Sequence, residues 1–228
     1  MKNASSEPHF TPRFFTFLRA LKHNNERAWF QANKERYIAD VQQAMLRFIA
    51  DFAEPLRKIS KNFIADPKPV GGSMFRVYRD TRFSRDKTPY KTHASAHFRH
   101  TQATRNVHAP GFYLHLEPGE CFIGGGIWLP EAATLKKLRD AIAYDAEGWR
   151  KVKRKITDIE GDGLTRPPQG YDPAHPFIDD LKRKSHFSHA AFSEAEVCSP
   201  RFLARCAEAC RARAPLMQFL TEAVDLDW

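Results

Sequence analysis

Between Arg76 and His93 the chain reads "RVYRDTRFSRDKTPYKTH", with six Lys or Arg side chains, two Asp, two Tyr and one His in eighteen positions. Arg offers a planar fork of donors and Lys a compact point charge. Arg76, Arg79, Arg82, Lys87 and Lys91 together are therefore a candidate clamp for phosphate or carboxylate oxygens. Asp80 and Asp86 sit among them, either orienting the cations or tying them down as ion pairs. Two carboxylates cannot neutralise so many cations, and the surplus is the reason to expect an anionic ligand. Pro89 stiffens the stretch. Tyr90 presents a ring beside the two lysines or packs beneath them. His93 follows as a candidate general acid or base, with Asp80 and Asp86 completing the candidate catalytic set.

The charge along the chain singles out the same region. The net charge is +9; residues 1–74 contribute +5, residues 75–108 contribute +6 and residues 109–228 contribute −2. A patch this concentrated attracts phosphates, carboxylates or nucleic acid, whereas diffuse charge serves solubility. Hydrophobic residues make up 42% and charged residues 28%, as in ordinary globular proteins. No apolar run approaches the ~18 residues of a membrane span. The opening "MKNASSEPHFTPRFF" has no apolar stretch behind its Lys, so no secretory signal is expected. Cys121, Cys198, Cys206 and Cys210 form no CxxC pair and read as reduced thiols of a cytoplasmic protein.

Elements must position these residues. Thr11 and Pro12 suit a helix start. Trp29, Phe30, Tyr37, Val41, Met45, Phe48 and Phe52 then recur at helical spacing, predicting one long helix from about Asn25 to Phe52 with a core-facing stripe. Period two takes over in the centre. In "SMFRVYRD", "HASAHFR" and "GFYLHLEPG" one face is apolar (Phe75, Val77; Ala94, Ala96, Phe98; Phe112, Leu114, Leu116), which predicts strands near 74–80, 93–99 and 112–117. "CFIGGGIWLP" predicts a fourth at 121–128, its glycines admitting a close neighbour. Two helices, "LPEAATLKKLRDAIAYD" and "AEGWRKVKRKITDIE", precede a turn-rich linker. A short helix in "IDDLKRKSHF" and a last helix opened by Ser199 and Pro200, kinked at Pro215, complete the chain. The expected class is α+β, a mainly antiparallel central sheet with helices on one face. A single domain is expected over 1–228, helical in 11–54, strand-rich in 72–128 and helical again in 130–225.

Alternation places Arg76, Tyr78, His93, His97, Arg99, Tyr113 and His115 on the opposite face of that sheet. These groups donate hydrogen bonds, stack, or titrate near neutrality, which favours a binding face. No phosphate loop, nucleophile elbow or H-E-x-x-H is present. His93 and His97 on one strand would stand ~13 Å apart, too far to share a metal. No metal and no cofactor are expected, and a cross-strand set involving His97, His115 and Glu117 stays open.

The stretch "FRVYRDTRFSRDKTPYKTHASAHF" resembles the signature of a family of conserved uncharacterised microbial proteins, the domain of unknown function numbered 2461. "FFTFLRALKHNNERAWFQANKERY", "FYLHLEPGECFIGGGIWLPE" and "GYDPAHPFIDDLKRKSHF" extend the resemblance through most of the chain. It implies a compact single domain and carries no established activity. The leading reading is a basic cleft for a small phosphorylated or otherwise anionic ligand, with hydrolase or transferase chemistry as one use of it. Whether the protein is an enzyme at all stays open. A nucleic-acid-binding module with weak affinity is the alternative, and a protein-interaction domain with Arg and Tyr hot spots is a further one. No membrane partner is expected, and the sequence is silent on oligomeric state.

Overall fold

Pro12 stands at the first turn of α1 (Pro12–His23), where its missing N–H is no loss, and Asn24 ends it. The structure, a computed structural model, describes residues 7–103 and 108–228; Arg105, one of the cations counted in residues 75–108, lies outside them. The predicted long helix is broken. It becomes α2 (Arg27–Ala32), α3 (Lys34–Arg36), a π-helical segment (Tyr37–Gln42) and α4 (Gln43–Arg57). The wider π turn absorbs a register slip, so Tyr37 and Val41 still face inward with Met45, Phe48 and Phe52. Burying each such Phe contributes about 1.5–3 kcal/mol.

β1 (Phe63–Ile64), β2 (Ala94–His100), β3 (Gly111–Glu117) and β4 (Glu120–Ile127) follow. Then come α5 (Ala132–Tyr144), α6 (Ala146–Lys155) and α7 (Ile178–Lys182). β5 (His186–Phe192), α8 (Glu194–Val197), α9 (Phe202–Ala212) and α10 (Ala214–Ala223) close the chain. The five strands form one antiparallel sheet in the order β1-β2-β3-β4-β5. The chain is α+β. Phe98, Phe112, Leu114, Leu116 and Ile123 are fully buried on one face of the sheet, in a core shared with α1, α4 and α9. A second cluster around Trp149, with Ile127, Leu138, Ile142 and Leu220, joins α5, α6 and α10. Cys206 and Cys210 face the core as small apolar residues. No helix among the described residues is long and apolar enough to cross a membrane.

Two predicted features need correcting. Residues 74–80 are not a regular strand. The 73–75 stretch pairs with β2 only locally, through Phe75 N–H to Ser95 O (2.9 Å) and His97 N–H to Ser73 O (2.8 Å). Met74 and Val77 enter the core while Phe75 turns to the other side of the sheet. The period of two therefore breaks at Arg76. Conversely, β5 was not expected, because its residues on the core side include His186 and Ser188, buried polar groups that hide the apolar alternation.

Candidate functional site

The basic stretch is a loop on a ribbon. Arg79 N–H donates to Pro89 O (2.9 Å) and Lys91 N–H to Val77 O (2.8 Å), so residues 77–79 and 89–91 pair and residues 80–88 close the end. Asn25 fixes the ribbon to the helical layer. Its amide donates to Tyr90 O (2.9 Å) and its side-chain oxygen accepts from Tyr90 N–H (3.0 Å), replacing a strand partner. Tyr90 is 2% exposed and stacks on Phe30 at 4.1 Å. It packs beneath the loop, the second of the two places the sequence allowed it.

Two of the five cations are tied down by internal ion pairs. Arg82 pairs with Asp80 (2.7 Å), and Arg79 pairs with Asp86 and bonds to Thr88. Arg82's hydrogen bonds hold the Asp80 carboxyl down at about 2. Asp86 is likewise held at about 2, chiefly by the Thr88 N–H and then by Arg79. Each Asp thus ties down one Arg. The exposed Lys87 caps Thr81 O at 2.9 Å. Arg79 and Tyr90 also line a pocket of about 300 Å³ with Arg27, Gln31 and Tyr78, but the Arg79 guanidinium there is already engaged.

Lys91 differs from the others. It is half-buried, its ammonium lies 4.9 Å above the Phe75 ring, and among the described residues no carboxylate lies within ion-pair distance of it. Burial, and then the charge of Arg76, depress its pKa. Arg76 is exposed and likewise makes no ion pair among the described residues. Arg76 is near enough for its charge to act on Lys91.

Beyond Lys91 the polar face of the sheet begins. β2 and β3 pair Ala94 with Leu116 and Ser95 with His115, so His93, just before β2, stands level with Glu117. Alternation then puts His115 and Glu117 on the same face as His93. The two imidazoles lie 4.4 Å apart by ring centres. Glu117 Oε2 is 3.9 Å from His93 Nδ1 and 3.5 Å from His115 Nε2. Glu117 Oε1 accepts from Thr92 Oγ1 (2.8 Å), and His115 Nδ1 is 3.1 Å from Tyr113 Oη. Phe122 of β4 stacks on His115 at 5.0 Å. Burial pushes His93 down to about 4 and lowers His115 too, so both rings are neutral at physiological pH with a lone pair to offer.

His97, the other histidine of β2, has a different place. It lies beneath Phe75, its ring parallel, and depends on Gly111 across the strand pair, where a Cβ would stand 2.1 Å from its Nε2. The two central candidates are therefore His93 with its cross-strand partners and the Arg76–Lys91 pair. Thr92 is the residue the sequence reading missed, whereas Glu117 was left open there in a cross-strand set with His97 and His115. Glu117 was visible in the period-two alternation of β3, and Thr92 carried no signal.

No curated protein matches the chain. A family model does, described as "Conserved hypothetical protein", and it spans the loop, the sheet and most of the helices. With residues 13–219 matched, the chain belongs to the DUF2461 family.

Proposed function

We propose that the protein binds a small phosphorylated or otherwise anionic ligand between Arg76 and Lys91, at the edge of the polar sheet face. The reading is carried by the half-buried Lys91 ammonium, which feels the charge of Arg76 and, like Arg76, has no ion-pair partner among the described residues. Arg76 is exposed and Lys91 half-buried, so the repulsion weighs on Lys91, and an anion bound by both would relieve it while gaining charge-assisted hydrogen bonds. Arg82 and Arg79, each already paired, support this role less. Lys91 is close enough for its charge to act on His93. A bound anion would therefore lie beside a neutral imidazole and the Glu117 carboxylate, the groups that hydrolysis or group transfer requires. His93 is the proton acceptor in that reading.

Thermal denaturation in phosphate, pyrophosphate, nucleotides and sugar phosphates tests this, since a ligand specific to the folded state raises the melting temperature by mass action. At least one of them should stabilise the protein, Lys91→Met or Arg76→Ala should remove the effect, and Arg82→Ala should keep it. A melting temperature indifferent to all of them would refute the reading.

One observation favours a second reading, nucleic-acid binding. Phe83 at the loop tip is 96% exposed, with the Arg82 guanidinium 5.8 Å from its ring centre and Arg85 and Lys87 close in sequence. An exposed ring among cations is a stacking platform for a base.

A further inference from the structure

We propose that His93, His115 and Glu117 bind one divalent transition-metal ion through Nδ1, Nε2 and Oε2 respectively. This inference stands on these three side chains and does not need the anion reading. Each of the three residues offers a ligand atom within 4.8 Å of the other two, and Glu117 Oε2 is 3.9 Å from His93 Nδ1 and 3.5 Å from His115 Nε2. Bonds of ~2.0–2.2 Å to a tetrahedral zinc set donors ~3.3 Å apart, so small side-chain rotations close the set. Two imidazoles and a carboxylate suit zinc and its first-row neighbours.

Three further features point the same way. His115 Nε2 is buried and among the described residues makes no close hydrogen bond, its nearest acceptor being the Glu117 carboxylate at 3.5 Å. Leaving such a nitrogen unpaired costs about 1–3 kcal/mol, which a metal would offset. Glu117 Oε2, at 3.5 and 3.9 Å from the two rings, is too far to bond either of them well. A cluster built only for internal hydrogen bonds would be tighter. Finally, on Glu117 and His115 the atom that would not bind the ion is already held. Thr92 takes Glu117 Oε1, and Tyr113 Oη stands against His115 Nδ1, the outer-shell arrangement that orients metal ligands. With the ion bound, His115 Nδ1–H donates to Tyr113 Oη.

Two cations oppose binding. Lys22 Nζ is 3.8 Å from Glu117 Oε1, and Lys91 acts on His93. Lys22 is a flexible, exposed side chain that can swing away. His93 and Glu117 keep a quarter and a fifth of their side-chain surface accessible, so the set is open on one side. Three protein ligands with one open side is the pattern of a reactive rather than a purely structural site. His93 would then serve as a ligand instead of a proton acceptor.

The test is calorimetric titration of chelator-treated protein with Zn²⁺ in phosphate-free buffer, with Co²⁺ absorption as a second readout. We expect one Zn²⁺ per chain, visible Co²⁺ ligand-field bands, and at least ~10-fold weaker binding in His93→Ala and in Glu117→Gln. Both variants should melt like the metal-free wild type. Tyr113→Phe should weaken binding less, and Lys91→Met should retain it, which separates this proposal from the anion site. Absence of saturable 1:1 binding, or affinity unchanged in both ligand variants, overturns the proposal.

Discussion

Lys91 and Tyr90 are adjacent in the chain, yet one is a candidate ligand-binding group and the other is core. The sequence marked both, and the backbone alternation of the ribbon separated them. The surplus of cations was equally readable, but which of them the two carboxylates would consume was not, because that depends on a nine-residue loop closing on itself. Buried histidines give a residue-scale prediction of another kind. His186 is fully buried with Nε2 3.0 Å from Asp180 O, and burial holds its pKa at about 4, as it does for His97. The unfolded chain takes up these protons near pH 6.5. Between about pH 6.5 and 4 it therefore binds more protons than the native state. Stability is full above that window and falls as pH drops through it, by roughly 1–3 kcal/mol for each histidine. Asp80 and Asp86, depressed to about 2, act only below about pH 4. Urea unfolding at pH 7, 6, 5 and 4.5 should show the decline, and His186→Leu should flatten it. A flat wild-type profile would contradict the assignment.

At the scale of elements, the glycine run of β4 and the Asn25 clasp are the sharpest tests. The sequence suggested that Gly124–Gly126 admit a close neighbour, and the neighbours are β5 and α10. A Cβ on Gly126 would meet His186 O at 2.3 Å and Phe187 Cα at 2.5 Å, both rigid backbone. On Gly125 it would meet Met217 Sδ at 2.7 Å, the end of a flexible side chain. Gly126→Ala should cost about 1–3 kcal/mol or more and Gly125→Ala clearly less, read from denaturant midpoints. Equal losses would count against this packing. Asn25→Ala leaves the partly buried N–H and C=O of Tyr90 unpaired. It should cost about 1–3 kcal/mol and should weaken any anion stabilisation, because the ribbon that holds Lys91 loses its anchor. Strands β2, β3 and β4 were readable because their inward residues are apolar. β5 and the 73–77 stretch were not, since one hides polar residues in the core and the other switches faces midway.

For the molecule as a whole, the sign and placement of charge decide between the two binding readings. The proposed anion site lies where the ribbon meets the sheet, while Phe83 at the loop tip is exposed to solvent. Fluorescence anisotropy with labelled single-stranded DNA or RNA should show weak binding that falls steeply with salt through counterion release and vanishes near physiological ionic strength. Affinity that survives there, and is lost in Phe83→Ala, would favour the nucleic-acid reading. The class of fold and its antiparallel centre followed from periodicity. The meeting of His93, His115 and Glu117 did not, because it rests on the register between β2 and β3.

The central claim, an anion held between Arg76 and Lys91, is tested most directly by crystals soaked in low-millimolar tungstate, a heavy phosphate mimic visible by anomalous scattering. An anomalous peak within hydrogen-bonding reach of both the Arg76 guanidinium and the Lys91 ammonium, lost in Lys91→Met, is the expected result. A peak confined to Arg82, Arg85 and Lys87 at the loop tip, or to the Arg27–Arg79 pocket, or none at all, would contradict it.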